Sequence, residues 1–352
     1  MGKTKVAVIG CGKIANIAHL GALSSIDGVE IKYAVDLIED RALAAKKKYG
    51  AAEAVTDYKK ALSDSEVEAV YVLTPNYSHY TITMDALKAG KHVFCEKPIT
   101  NNYALSKEMA AEAKKQNKVL NIGVCNRYHK SVELIKEFVD KGKLGELYHI
   151  YCSFRSYRSI PGLGGAFTSK KESGGGVLID WGIHFLDLIL YITGVKLRTV
   201  TANAYNKLGK DIPNYVFKDM WAGPPTPGGV CDVDDMVTGF IRTGGASISF
   251  NGAWAQNIDH NEMFIDFMGD KGGIRLDYGG HFSFFNAEGG VLQTTRPDYN
   301  IPDMYEREDI RFIEAIKGNI KTRSHIDNVL ESARLLDAIY ESAEKESEIK
   351  IQ

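Results

Sequence analysis

The sequence has no CxxC pair, and its five cysteines (Cys11, Cys95, Cys125, Cys152 and Cys231) are odd in number and widely spaced. That argues against a disulfide framework or a structural zinc site and points to free thiols in a reducing, cytoplasmic setting. Neither sign of charge is in excess: 43 Lys and Arg stand against 45 Asp and Glu, a formal net charge of -2. Such a balance suggests no nucleic-acid partner and no anionic membrane surface. No unbroken apolar run approaches the ~20 residues of a membrane span. The first apolar stretch, residues 5–9, is too short for a signal-peptide core. Repeats of solenoid period are absent. Prolines number only nine, and four of them crowd into residues 213–229 among several glycines. What remains is ordinary folded composition, 44% hydrophobic and 25% charged, in a chain of 352 residues. That length fits two domains of typical size.

Over the first 125 residues short apolar runs alternate with helical patterns. Strands are predicted at 5–9, 29–35, 69–73, 92–95 and 119–124, and helices at 13–25, 38–49, 78–89 and 101–116. Strand–helix alternation implies βαβ units and a parallel sheet covered on both faces, a doubly wound Rossmann-type domain over residues 1–125. From residue 147 the rhythm changes. Strand-like runs follow one another at 147–154, 199–204, 236–242, 246–251, 263–268 and 273–276. One apolar helix at 176–191 interrupts them, and helices at 305–316 and 324–344 follow. Residues 126–352 therefore read as an α+β domain on a mostly antiparallel sheet, one face of which can meet helices and the other a partner or solvent. Its last helices can pack back on the first domain. Segment 213–229 reads as a loop, a rim or lid over a pocket.

Residues 10–15, Gly10-Cys11-Gly12-Lys13-Ile14-Ala15, form a GxGxxA turn between a strand and a helix. Gly10 permits the tight turn, Gly12 leaves room for a pyrophosphate against the backbone, and Ala15 lets the helix approach the sheet. The helix N-terminus then offers unpaired N–H groups and its positive dipole end. Asp36 closes the second strand, where a carboxylate accepts from both ribose hydroxyls and repels a 2′-phosphate. The cofactor expected is NAD, contacted by Gly10, Cys11, Gly12, Lys13, Ile14 and Asp36.

Two further strand ends carry polar residues. Thr74-Pro75-Asn76, with His79 three residues on, ends the third strand, and Glu96-Lys97-Pro98 ends the fourth. Open α/β sheets bind ligands at such ends, so Thr74, Pro75, Asn76, His79, Glu96 and Lys97 are candidate cofactor contacts. A charged pair closing an apolar strand has either a partner or a task, or is simply solvated. Lys97 can hold or deprotonate a substrate hydroxyl, and Pro98 restricts it to extended geometry, with a cis bond open to it.

On the apolar helix, Asp180, His184 and Asp187 fall on one stripe, preceded by Gly174-Gly175-Gly176. Three readings stand together: a buried structural network, a metal site lacking a further ligand, and a catalytic pair with His184 as base or acid and Asp180 as orienting group. Trp221 and Trp254 have faces suited to C–H-rich surfaces, although a Trp inside a strand, as Trp254 is read, is more often core.

In this order, GxGxxA, Asp36, Thr-Pro-Asn with His79, and Glu96-Lys97-Pro98 resemble the Gfo/Idh/MocA family of NAD(P)-dependent oxidoreductases, and the antiparallel second half fits along nearly the whole chain. Asp180-x-x-x-His184 resembles the family's second-domain motif. The resemblance implies that Lys97, Asp180 and His184 form the catalytic group and that Asp187 is a packing acid; with no further ligand placed by the sequence, no metal is expected. It also implies substrate contacts from Lys97, Asp180, His184, Arg127 and Tyr128, while Arg158 is a further pocket-lining candidate. The implied reaction is hydride transfer between nicotinamide and a secondary hydroxyl of a sugar, polyol or glycoside, with sugar C3 favoured, in a homo-oligomer. Two rivals stay open: a redox-neutral, NAD-dependent glycosidase or lyase, and a non-enzymatic dinucleotide-binding regulator.

Overall fold

The computed structural model describes residues 2–218, 220–318 and 320–351. Asp219, inside the predicted proline–glycine loop, lies outside them, as do Met1 and Gln352 at the outer bounds of the two predicted domains. The chain divides into two compact units. One comprises Met1–Tyr128 with Pro302–Leu330, the other His129–Ile301 with Glu331–Gln352. Residues 126–128 and 302–330 thus belong with the first unit, which differs from a single break after residue 125.

In the first unit six strands run in the order β3-β2-β1-β4-β5-β6, all pairs parallel. They are β1 Thr4–Ile9, β2 Val29–Val35, β3 Glu53–Val55, β4 Ala69–Val72, β5 His92–Glu96 and β6 Leu120–Gly123. Apolar alternation missed β3 and the short helix Tyr58–Ser63: β3 is half-buried throughout, so it carries no apolar run. The helices lie where expected to within a few residues, at Glu39–Tyr49, His79–Lys88 and Tyr103–Lys115. The unit's core stacks Tyr71 on Phe94 at 4.9 Å, with Phe312 edge-on to both. Phe312 comes from the returning segment, which also covers the edge strand β6. Ile122 donates its N–H to the Ser324 carbonyl at 2.9 Å, and Asn121 bridges His325. An open edge of paired-out N–H groups needs such cover, and this is why residues near 322–325 return here.

In the second unit nine strands run β14-β13-β12-β11-β7-β10-β9-β8-β15. They are β7 Leu147–Arg155, β8 Leu197–Tyr205, β9 Met236–Thr243, β10 Ser247–Ala253, β11 Glu262–Gly269, β12 Gly272–Asp277, β13 Phe282–Glu288, β14 Val291–Thr295 and β15 Ile349–Lys350. Every pairing is antiparallel except β7 with β10, which is parallel. Strands β13 to β15 and the helix Lys130–Asp140 go beyond the sequence reading. β14 is exposed along its length and β15 has two residues, so neither shows an apolar pattern.

The run Lys170–Thr193 is long and apolar enough to cross a membrane by length and composition, contrary to the expectation from the sequence. Lys170, Lys171, Glu172, Asp180, His184 and Asp187 break it up in sequence, but the helical turns join into one apolar stretch. Most of it is buried as a core helix. Phe185 stacks on Phe154 of β7 at 5.0 Å and on Tyr278 at 4.5 Å.

Candidate active site

Strand order in the first sheet reverses between β1 and β4, and the glycine turn sits at the carboxyl ends of both, the place where open α/β sheets bind ligands. Gly10 has φ +95°, and a Cβ there would stand 2.5 Å from the Leu73 carbonyl oxygen, so both conformation and crowding demand glycine. Gly12 is different: nothing lies within 4 Å of a Cβ built on it. The chain does not fill that space itself, which fits the approach of a pyrophosphate. The Cys11 N–H donates to Asp36 Oδ2 and the Ile38 N–H to Asp36 Oδ1, both at 2.9 Å. Asn16 Nδ2 donates to the Cys11 and Gly12 carbonyls at 2.9 and 2.8 Å. Asp36 therefore fixes the turn as well as ending β2. Burial, reinforced by the nearby Asp36 charge, pushes the Cys11 thiol up to about 12, so its part is passive packing. Beyond Asp36, Leu37 and Ile38 are 84% and 49% exposed. This aliphatic pair suits the face of an adenine, and its only signal in sequence is two apolar residues directly after a strand-ending acid.

The helix after the turn opens with a π-helical turn, Ala15–His19, before the α-helix Leu20–Ser25. It carries His19 fully into the interior. There His19 Nδ1 meets Asp309 Oδ1 and Nε2 meets Glu96 Oε1, each at 3.0 Å. Burial opposes charge on this ring, but Asp309 and then Glu96 outweigh it and raise it to about 10. The other Glu96 oxygen accepts the Lys97 N–H at 2.9 Å. A side chain on Gly123 would collide with that carboxylate at 2.8 Å. Glu96 is thus buried and engaged by the chain, a structural partner to Lys97 where a cofactor contact was expected. The Lys97–Pro98 peptide is cis, and Lys97 itself is half-buried.

His79 is enclosed as well. It is buried, with Nδ1 2.8 Å from the Pro98 carbonyl and Nε2 2.8 Å from the Thr74 carbonyl. Two carbonyl acceptors require both ring nitrogens to donate. Burial works against that charge, but Cys95 and the carbonyls outweigh it and hold the ring at about 9. His79 ties the Thr-Pro-Asn turn to the cis-proline turn. Of that turn, Thr74 and Asn76 remain half-buried and Pro75 is exposed.

Arg127 and Tyr128, expected at the substrate, are each 1% exposed. Arg127 donates to the carbonyls of Arg323 (2.8 Å) and Asn328 (3.0 Å). The Tyr128 hydroxyl bonds Thr322 Oγ1 at 2.7 Å and accepts from Ser324 Oγ at 2.8 Å. Their partners lie nearly 200 residues away, so sequence proximity to β6 suggested a ligand where the chain itself supplies the contact.

In the second unit, Asp180 sits on a π-helical turn, Leu178–Gly182, and His184 on the α-helix Ile183–Thr193 that continues it. Both are half-buried, whereas Leu178, Ile179, Ile183, Phe185 and Leu186 are buried. Trp254 Nε1 donates to Asp180 Oδ2 at 3.3 Å, and Trp254 is fully buried, a core residue holding an acid and not a sugar platform. The His184 ring lies 6.3 Å from that of Tyr278. Asp187 is buried and accepts from Ser332 Oγ at 2.7 Å, a packing acid. The helix start is held by Asp234, which accepts the N–H groups of Gly176 and Leu178 at 2.8 and 3.0 Å and the Tyr340 hydroxyl at 2.8 Å. Sequence offered no sign of Asp234, because the cap comes from more than 50 residues on. Arg158 is half-buried and donates to Asn257 Oδ1 at 2.5 Å. The two units thus present a glycine turn with a fixed carboxylate, a half-buried lysine, and a half-buried aspartate–histidine pair. A glycine turn of this form suits a dinucleotide, and a half-buried imidazole can carry a proton.

Comparison with known proteins agrees. Residues 4–124 match the oxidoreductase family with NAD-binding Rossmann fold, Gfo/Idh/MocA, and residues 132–275 match the Gfo/Idh/MocA C-terminal domain. Among curated proteins, D-glucoside 3-dehydrogenase of Escherichia coli (strain K12) is 29% identical over 350 residues, covering 99% of this chain and 97% of that protein. Myo-inositol 2-dehydrogenase of Thermotoga maritima is 32% identical over 200 residues, 56% of this chain and 58% of that protein. Among solved structures, levoglucosan dehydrogenase in complex with NADH and L-sorbose superposes with a TM-score of 0.87 at 22% identity, over 100% of both chains. With the turn, the strand order and both domain matches in agreement, the chain belongs to the Gfo/Idh/MocA family of oxidoreductases.

Proposed function

We propose that the protein is an NAD-dependent dehydrogenase that oxidises a secondary hydroxyl of a sugar, polyol or glycoside, with the sugar C3 position as the preferred site. The observation that carries this reading is the Asp180–His184 pair, two half-buried ionisable groups one helical turn apart at the start of a mostly buried apolar helix. The likeness to a glucoside 3-dehydrogenase along almost the entire chain supports the substrate class and the position.

Bound NAD would supply the hydride acceptor at its nicotinamide C4. Gly10 to Ile14 would hold its pyrophosphate and Asp36 its adenosine ribose. Asp36 favours NAD over NADP, because its carboxylate is pinned by the Cys11 and Ile38 N–H groups and cannot swing away from a 2′-phosphate. His184 takes the proton of the reacting hydroxyl on its imidazole. Asp180, steadied by Trp254, orients the substrate or that ring. The Lys97 ammonium stabilises the alkoxide as the proton leaves.

The test is incubation with NAD or NADP and a panel of sugars, polyols and glycosides, following NADH absorbance and product chromatography. Net NADH with a keto-sugar product supports the reading, with NAD preferred. Cleaved glycoside without net NADH would replace it with redox-neutral glycoside cleavage. Tight NAD binding with no turnover of any sugar would point to a regulator.

A further inference from the structure

We propose that Asn16 orients the glycine turn for the cofactor's pyrophosphate, and that Tyr49 aims Asn16. Asn16 is a positioning residue: it acts through the backbone of Cys11 and Gly12. The inference rests on the dinucleotide part of the proposed function and names a determinant of its affinity.

The first observation is where the amide points. Asn16 Nδ2 donates to the Cys11 carbonyl at 2.9 Å and to the Gly12 carbonyl at 2.8 Å. The Asn16 N–H donates to the Gly12 carbonyl as well, at 3.2 Å. Asparagine is a poor helix former because its side chain competes for nearby backbone groups. In the turn Ala15–His19 that competition has a use, since the side chain reaches back five and four residues to the carbonyls of the glycine turn. The amide has one orientation open to it. Reversed, its oxygen would face two carbonyl oxygens.

The second observation is what holds the amide from behind. The Tyr49 hydroxyl donates to Asn16 Oδ1 at 3.1 Å and lies 3.2 Å from the Asn16 carbonyl oxygen. Tyr49 ends the helix Glu39–Tyr49, and its side chain packs against the core of the first unit. The same helix begins directly after Ile38, whose N–H is taken by Asp36 together with that of Cys11. The turn is thus held from both ends of one helix. Asp36, before the helix, takes the Cys11 N–H; Asn16, steadied by the last residue of the helix, takes the carbonyls of Cys11 and Gly12.

The third observation is what this leaves for a ligand. A trans peptide is planar, with its carbonyl and its N–H on opposite sides. The cis bond among the described residues is Lys97–Pro98, so the peptides of the glycine turn are trans. Carbonyls of Cys11 and Gly12 turned toward Asn16 therefore turn the N–H groups of Gly12 and Lys13 the other way. A pyrophosphate against the backbone needs donors set in this manner. Gly12 leaves room for it, with nothing within 4 Å of a Cβ built there. Without the amide, both peptide planes lose an anchor and can present a carbonyl to the phosphate oxygens, which repels them. Donors set in advance need less ordering when the ligand arrives.

The test is the calorimetric Kd for NAD and for ADP-ribose, in wild type and variants, with Tm measured alongside. ADP-ribose carries the pyrophosphate but no nicotinamide, so it reads the turn apart from the reactive ring. Asn16→Ala should raise both Kd values by about tenfold, the order expected from losing both side-chain hydrogen bonds to the turn. The KM for NAD should rise alike, with kcat at saturating NAD near that of the wild type. Tyr49→Phe should act in the same direction by a smaller factor, about two- to threefold. Asn16→Asp should weaken both ligands at least as much as Ala, because a carboxylate has no N–H for the two carbonyls. Its Tm should stay near the wild type, since an acid suits the first turn of a helix. A residue serving stability alone would move Tm and Kd together. Folded Asn16 variants with wild-type Kd for NAD and ADP-ribose overturn the proposal and leave the dinucleotide reading standing, as does a change confined to the KM for sugar. A wild type with no affinity for NAD or ADP-ribose removes both. Should Asn16→Ala not fold, Asn16→Asp and Tyr49→Phe decide, and Kd values unmoved in both overturn the proposal.

Discussion

The two units treat their ionisable residues in opposite ways. In the first, His19, His79, Glu96, Arg127 and Tyr128 are nearly all interior, each engaged by atoms of the same unit. In the second, the helix Ile183–Thr193 and the turn before it bury Asp187 against Ser332 yet leave Asp180 and His184 half-exposed. A polar residue at a strand end or on an apolar helix is therefore ambiguous until its partners are known. Where the chain returns to enclose it, the residue is architecture; where it stays partly exposed, a ligand can reach it. In the first unit Glu96 holds the Lys97 N–H and Asp36 the glycine turn, whereas in the second Asp234 caps the helix start and Trp254 holds Asp180.

This contrast is tested hardest at His184. Replacing it by Ala should lower kcat by about 10²–10⁴, the usual worth of a positioned general base, with NAD affinity retained. Steady-state rates beside calorimetric NAD binding measure both. A His184→Ala enzyme with unaltered kcat at every pH would mean that partial exposure on this helix is incidental.

His19 should behave in the reverse manner, as a stability residue. Its replacement by Gln strands the buried Asp309 and Glu96 carboxylates, and breaking a buried ion pair costs about 3–5 kcal/mol. The pH dependence has a definite sign. The folded ring sits at about 10 against 6.5 for the free side chain, with burial opposed by Asp309 and Glu96. Its stabilisation is complete below pH 6.5 and is lost as pH rises through about 10. The wild-type advantage over His19→Gln in urea midpoint should shrink across that window. An advantage that grows with pH would show that the ring is neutral in the folded chain. Nearby, burial and then the charge of Glu96 raise Glu308 well above the ordinary carboxylate range.

Much of this molecule was legible in the sequence. The parallel sheet followed from apolar runs alternating with helices, and β2 was placed to the residue. The glycine turn, Asp36, Lys97 and the Asp180–His184 stripe were legible because each is a local pattern, a few residues within one turn or one strand end. What escaped was non-local. Arg127 and Tyr128 follow β6 directly, and nothing within 20 residues hints that segment 322–328 will enclose them. The same holds for Asp234 at the helix start and for Asp309 on His19. The strands β3, β14 and β15 were missed for a different reason. They are short or exposed, so side-chain burial leaves no period-two signal to read.

The smallest effect sharpens the comparison most, because it separates a residue near the reaction from one that builds its surroundings. Tyr128 bonds Thr322 and Ser324, and Ser324 Oγ also lies 3.0 Å from Glu308 Oε1. Tyr128→Phe keeps the ring and its packing beside the Arg323 guanidinium, 5.4 Å from the ring centre, but removes the hydroxyl from this chain. Two buried hydroxyls then each lose one partner, at a net cost of about 1 kcal/mol. In a domain of this size that lowers Tm by only a few degrees, about 2–4 °C. The KM for sugar should stay where it was, since the hydroxyl faces Thr322 and Ser324 inside the first unit. A rise in KM with an unchanged Tm would reverse the assignment, returning Tyr128 to the substrate and erasing the distinction between enclosed and available groups at this position.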